Sequence, residues 1–339
     1  VRSLSRFTIL ALPLIACTGA DTDTEELPAW QTVADDLGGA LLAVTGTTAD
    51  DVWAVGADDG SGPLVLHWDG TTWERLDTGT TGDLWWAWRP PEASRTNDLW
   101  ASGAGGRILR FDGEAWHEAV LDATEVVFWG IWGASEEEVW TIGGDPTVSS
   151  DGAVLYRANG GTWAEEALPA DAASQFAMYK VWGAAADDVW ACGANGAMMH
   201  WDGAAWTDVE SGTDRLLLTV AGTGSDDVWA VGGTGSGEIV HWDGASWTSD
   251  APEFSVDFNG VSARDDLVVA VGRVGDAWLH GAEGWIGDPR GRATFKDLHA
   301  TWIDPDGGVW AVGGQISALP MTGGVMVYAG EQQVATYSE

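Results

Sequence analysis

Trp85, Trp86, Trp129, Tyr179, Lys180 and His299 stand at two adjacent positions of a segment that recurs along the chain. The first position reads Leu42, Trp85, Trp129, Tyr179, Leu218, Asn259 and His299; the second reads Ala43, Trp86, Gly130, Lys180, Thr219, Gly260 and Ala300. Small residues dominate the second position, so Trp86 and Lys180, one of only two lysines, stand out in it. Aromatic faces around a lone ammonium are the makings of a ligand pocket, and these six residues form the candidate binding site. Oversized packing is the alternative use of the same rings. Because side chains alternate along a strand, one position is expected to face away from its neighbour.

No catalytic set emerges. A Gly-x-Ser-x-Gly nucleophile turn is absent, and a Ser-His-Asp triad cannot be assigned without geometry. Arg89, Arg215 and Arg273 could gather on an anion as the arginines of sialidases do, but Trp88-Arg89-Pro90-Pro91 is a poor match to the arginine motif of that family. With four tyrosines in no pattern, a copper site like that of galactose oxidase finds no ligand set. A carboxylate pair for glycoside cleavage stays open among so many acids.

Metal ligation is not expected. His67, His200 and His241 share one position of different repeats, and equivalent positions are spread too widely to hold one ion. A structural hydrogen bond is the expected use of each. Ca²⁺ is the cation the acidity would suit, yet no segment carries the complete Asp-x-Asp-x-Asn-Gly…Glu loop, so no cofactor is assigned. Acidic pairs such as Asp50-Asp51, Asp187-Asp188 and Asp226-Asp227 are expected to fix turns by accepting backbone N–H bonds. So are Asp69, Asp112, Asp202 and Asp243, each before Gly.

The charge excludes one partner class. With 15 Lys plus Arg against 52 Asp plus Glu, the net charge is −37, and phosphate backbones need a basic groove instead. Solubility, adaptation to salt and Ca²⁺ binding are the competing uses of the acidity. Cys192 fills a strand position held elsewhere by Val55, Val231 and Val312, so it is expected to be a buried small hydrophobe.

Arg2 and Arg6 precede the apolar run Phe7 to Ala16, and Cys17 follows. This is a secretory signal in shape. Leu14-Ile15-Ala16-Cys17 resembles the bacterial lipobox. The resemblance implies a signal peptide over 1–16, acylation of Cys17 and firm membrane attachment through several chains. Thr18 in place of Asp favours the outer membrane or cell surface where a cell has two membranes. Residues 17–27 are polar and acidic and read as a flexible tether.

The elements that position these residues come from a repeat. Val228-Trp229-Ala230-Val231-Gly232-Gly233 followed by His241-Trp242-Asp243-Gly244-Ala245-Ser246-Trp247 has counterparts throughout. The marker aromatic falls at Trp53, Trp100, Trp140, Trp190, Trp229 and Trp310, with Val269 in the missing place. Repeats of this length signal propellers or solenoids. Each unit reads as four short strands, A to D, rich in β-branched and aromatic residues and bounded by Gly and Asp. The inner strands A are expected at 41–45, 84–88, 127–132, 177–182, 216–221, 257–262 and 297–302. The expected fold over 28–339 is an all-β, seven-bladed propeller of four-stranded antiparallel blades.

Closure must hide the edges of the first and last blades. Six units carry a D-type strand, so one is owed. Residues 29–33 are the expected donor, with 333–337 the rival. The repeated Trp of strand B is expected to pack between blades, with a sugar-stacking platform as its alternative.

The doublets Gly143-Gly144, Gly232-Gly233 and Gly313-Gly314, each followed by an aromatic and a spaced Trp, resemble the kelch repeat. The Asp-Gly-x-x-Trp turns resemble a shortened Asp-box. Similarity to WD40 repeats is weaker, since Trp-Asp ends strand C but the Gly-His dipeptide is absent. These resemblances imply a propeller and no activity. The B–C and D–A loops vary between units, share one face in propellers, and are where binding is expected. The expected function is a non-catalytic, exported, lipid-anchored monomer that binds a protein or glycan. A multivalent lectin and a glycan-active enzyme at the channel mouth are the alternatives.

Overall fold

The computed structural model describes residues 27–90, 98–119, 121, 123, 125–145, 152–169, 177–282 and 284–339. The signal segment, Cys17 and the tether up to residue 26 lie outside the described residues. Among the described residues the regular structure is strand, with two single turns of 3-10 helix at 194–196 and 273–275 and no α-helix.

The strands form seven sheets of four antiparallel strands. Strand A is Leu41–Thr48, Leu84–Trp88, Val127–Ser135, Met178–Ala185, Leu217–Gly224, Phe258–Arg264 and Asp297–Ile303 in blades 1 to 7. In blades 1 to 6 the sheet order follows the sequence. Blade 7 runs Asp297–Ile303, Val309–Gln315, Thr322–Ala329 and then Gln31–Leu37, so the N-terminal strand supplies its outermost member. The strand starts later and runs longer than the expected 29–33.

The rival segment has a different task. Tyr337 donates its backbone N–H to Val33 O at 2.8 Å, and Ala335 O accepts the Trp73 indole of blade 1 at 2.9 Å. The tail therefore bridges the closing strand to the next blade. Val334 and Tyr337 pack on the core shared by blades 7 and 1.

The strand-B tryptophans hold neighbouring blades together. Trp53, Trp100, Trp140, Trp190, Trp229 and Trp310 are all buried. Trp53 meets Phe111 of blade 2, Trp100 meets Trp163 of blade 3, and Trp190 meets Trp242 and Trp247 of blade 5. Trp229 meets Trp285 of blade 6, and Trp310 meets Trp73 of blade 1. None of these six presents a face to solvent, which removes them as sugar platforms. Truncating such a ring to Ala costs about 3–5 kcal/mol.

A second interlock joins the inner strands. The indole edges of Trp302, Trp88, Trp132 and Trp182 lie 2.6, 2.7, 2.6 and 2.8 Å from where a Cβ would stand on Gly46, Gly133, Gly183 and Gly222 of the following blade. At the other three junctions Thr45, Ala221 and Ser262 replace the Trp, and the next blade carries Arg89, Ala263 and Ile303 in place of Gly. Large meets absent, and small meets present, around the ring. Close packing requires this pairing of volumes.

Candidate functional site

The alternation expected along strand A does not hold. In every blade the A–B register slips at the first of the two candidate positions: between Leu41 and Ala43, Leu84 and Trp86, Phe128 and Gly130, Met178 and Lys180, Leu217 and Thr219, Phe258 and Gly260, and Leu298 and Ala300. Each blade thus carries a β-bulge, which re-aims side chains and breaks the two-residue period. Residues of both positions consequently reach the following blade, as Asn259 does to Leu298 O and Thr219 to Asn259 O, correcting the expectation that one faces away.

The six candidate residues meet there. The His299 ring lies 6.1 Å from Trp85 and 6.4 Å from Trp86, reaching across blade 1, and its Nδ1–H donates to Leu42 O at 2.5 Å. Lys180 reaches across blade 3: its Nζ lies 4.2 Å from the Trp86 ring centre and donates to Trp129 O at 2.7 Å. Gly130 makes room, since a Cβ there would stand 2.9 Å from Lys180 Cα. Trp129 and Tyr179 pack at 5.2 Å.

The electrostatics follow from burial. Lys180 is 4% exposed and makes no ion pair among the described residues. Desolvation pushes its ammonium down to about 7. Desolvation also pushes His299 down to about 3, with the Lys180 ammonium adding to it, and raises Cys192 to about 12 and Tyr179 above its usual range. Cys192 is a buried free thiol, as its strand position suggested.

The set is divided into two levels. Trp86 and Lys180 line a chamber of about 180 Å³ in the channel, walled by Thr45, Trp88, Ser262 and Thr301 among others. Every lining residue lies at or beyond the second candidate position, so the chamber faces the A–B turns. Trp85, Trp129, Tyr179 and His299 lie above it, toward the B–C and D–A loops, where Trp85 packs with Met321 and Ile316 of the last B–C loop.

The other chemical candidates are structural. Arg89 is buried against Asp51, Arg215 pairs with Glu238 at 3.3 Å and Arg273 with Asp257 at 3.5 Å. They sit in different blades, Arg89 at the turn end and the others at the loop end, and do not converge. Asp51 accepts from Trp53 Nε1, His67 Nε2 and Thr47 Oγ1 at 3.2, 2.9 and 2.6 Å. Asp227 repeats this with Trp229, His241 and Thr223 at 2.9, 2.8 and 2.5 Å, and Asp188 binds His200 at 2.7 Å. These acids thus organise side chains across strands B and C instead of accepting turn N–H groups as expected. The Asp-Gly turns match expectation: Asp69 Oδ1 accepts the N–H groups of Thr71 and Thr72 at 2.8 and 2.7 Å, and Gly70 takes φ 85°.

The loop face carries a feature with no counterpart among the candidate residues. Phe254, Phe295 and Leu319 are 97%, 81% and 84% exposed, and Val274 is also exposed. All four lie on B–C or D–A loops, within blades 5 to 7. Phe254 and Val274 hold φ of 68° and 51°, a region that bulky and β-branched residues avoid. Asn195 takes the same place in the matching turn of blade 4, with φ 55°. Asn tolerates that conformation and Val does not. A groove of about 540 Å³ adjoins, between Phe295, Lys296 and Asp297 on one side and Leu37, Gln315, Ser317 and Thr322 on the other. Ion pairs edge it: Lys296 Nζ with Asp35 at 2.7 Å and with Asp36 at 3.3 Å. These loops do not repeat, so the repeat alignment is blind to them. Their variability marks the face as a whole in the sequence, and only Val274, at the place of Asn195, is marked as a single residue.

No family model matches the chain, and no curated protein does. Solved structures do. YCF48 from Cyanidioschyzon merolae is 17% identical with a TM-score of 0.65, covering 90% of this chain and 100% of that one. YCF48 bound to D1 peptide is 16% identical with a TM-score of 0.65, covering 91% and 100%. The WD40 β-propeller domain of Doa1 is 11% identical with a TM-score of 0.66, covering 90% and 98%. At such identities the likeness establishes the fold alone.

Proposed function

We propose that the chain is a non-catalytic binding propeller that holds a segment of a partner protein on its loop face. Phe254, Val274, Phe295 and Leu319 make the apolar contact, and Trp85, Trp129, Tyr179 and His299 form the floor beside it. One observation carries this: among the described residues, the exposed apolar side chains of the B–C and D–A loops all lie in blades 5 to 7, two of them on backbone that such residues avoid. Apolar patches rimmed by polar groups mark interaction sites, and local strain collects at functional positions. The adjoining groove is large enough for a short extended segment, and its charged edge matches the usual polar rim of an interface. YCF48, of similar fold, has been solved with a peptide bound, which supports the ligand class. We also place the propeller outside the cytoplasm as a monomer tethered by an acylated Cys17; the support is the sequence of residues 2–17.

The test is selection of displayed random peptides on the full chain, with counter-selection on the double variant Phe295→Ser/Leu319→Ser. Peptides sharing an apolar core that bind the parent and lose at least tenfold on the variant are expected. Peptides that bind both alike, or no enrichment, would contradict the assignment.

A further inference from the structure

The axial chamber beneath the aromatic floor is independent of the loop-face site. Its roof is the Lys180 ammonium and the Trp86 ring. One Lys180 N–H is used, on Trp129 O, and an ammonium carries three donors. No acid of the described residues pairs with it. The titratable groups packed around it are Cys192 on strand B of its own blade, Tyr179 beside it and His299 from blade 7. None is an anion at neutral pH. Buried cations are normally paired, and a chain with 52 acidic residues had acids to spare for this place.

A second group in the chamber is also unmet. Ser262 lines it from blade 6, and its Oγ is buried without a hydrogen-bond partner among the described residues. Buried hydroxyls are nearly always satisfied. An ammonium and a hydroxyl, both open, share one small space whose other side-chain hydroxyls are those of Thr45 and Thr301, the latter already donating to Trp310 O.

We propose that this chamber is a binding site for a single carboxylate, which enters from the A–B turns, pairs with Lys180 Nζ and accepts from Ser262 Oγ. The carboxylate comes either from an acidic side chain or from the end of a peptide or small acid. The rest of the ligand is neutral or basic. The described turns around the opening expose Asp50, Glu137, Asp187, Asp226, Asp265 and Asp306. These repel polyanions, but their field is screened over about 8 Å at physiological salt, whereas contact with Lys180 is not.

Lys180 and Lys296 are the only lysines, so the full chain labelled with ¹³C at lysine Cε gives two signals. Lys180→Met identifies which is which. The probe is sodium acetate against sodium chloride at equal ionic strength. The Lys180 titration midpoint should rise by at least one pH unit in acetate and stay put in chloride, and Ser262→Ala should weaken the acetate effect about fivefold. Acetyl-trialanine with a free carboxylate, its C-terminal amide, and the amide carrying a central Glu separate the two sources; either acid should act where the plain amide does not. A midpoint that neither acetate nor either acidic peptide moves would overturn the proposal and leave Lys180 as a strut between blades 2 and 4.

Discussion

The indole of Trp132 in blade 3 lies flush on Gly183 of blade 4, its edge 2.6 Å from where a Cβ would stand. Gly183→Ala is therefore expected to cost about 1–3 kcal/mol by overpacking. Gly224, on the same strand of blade 5, has only an Asp226 oxygen 3.7 Å from its Cβ position. Gly224→Ala should be neutral or slightly stabilising. Urea unfolding of the two variants checks the pair, and equal effects would refute the interlock.

Asp51 is the hub of blade 1, and it reaches Arg89 of blade 2 where Asp227 reaches no arginine among the described residues. Asp51→Asn should cost about 3 kcal/mol, because it takes the nearer carboxylate from a buried guanidinium that Asp98 still faces. Asp227→Asn should cost less, on the order of 1–2 kcal/mol for altered hydrogen bonds alone. Chemical denaturation of both reads the difference.

Val274→Asn should stabilise the fold by about 1 kcal/mol, since Asn suits the left-handed turn that it occupies in blade 4 as Asn195. The same variant should weaken binding of any peptide selected on the loop face. Gain in melting temperature with loss of affinity is the expected combination.

His299 makes the fold sensitive to acid. Its folded value, about 3, lies below the ordinary imidazole value of about 6.5. Between these limits the unfolded chain takes up a proton that the folded chain refuses. The stabilisation is therefore full above pH 6.5 and is lost as pH falls toward 3. His299→Gln should lose less stability than the parent between pH 7.5 and pH 4.5, as measured by urea midpoints.

Blades, strand order and closure were readable because they rest on repeated Trp, Gly and Asp, whose roles are local and periodic. The inner strands begin within a residue or so of expectation. The axial residues were readable as exceptions to that period, but their orientation was not. A bulge depends on pairing between strands, and Leu41 or Phe128 carries no mark of it. Asp51 was misjudged for a similar reason: His67 reaches it only when strands B and C of blade 1 pair, and Arg89 only when blade 2 packs against blade 1. Phe254, Phe295 and Leu319 lie in segments without counterparts, so only solvent exposure in the folded chain singles them out.

Hydrogen exchange of the full chain, with and without a saturating selected peptide, locates the ligand most directly. Added protection is expected over 252–258, 273–276, 288–297 and 315–323, with the A–B and C–D turns unchanged. Protection confined to those turns or to the outer strands, with the four loops exchanging as before, would contradict binding at the loop face.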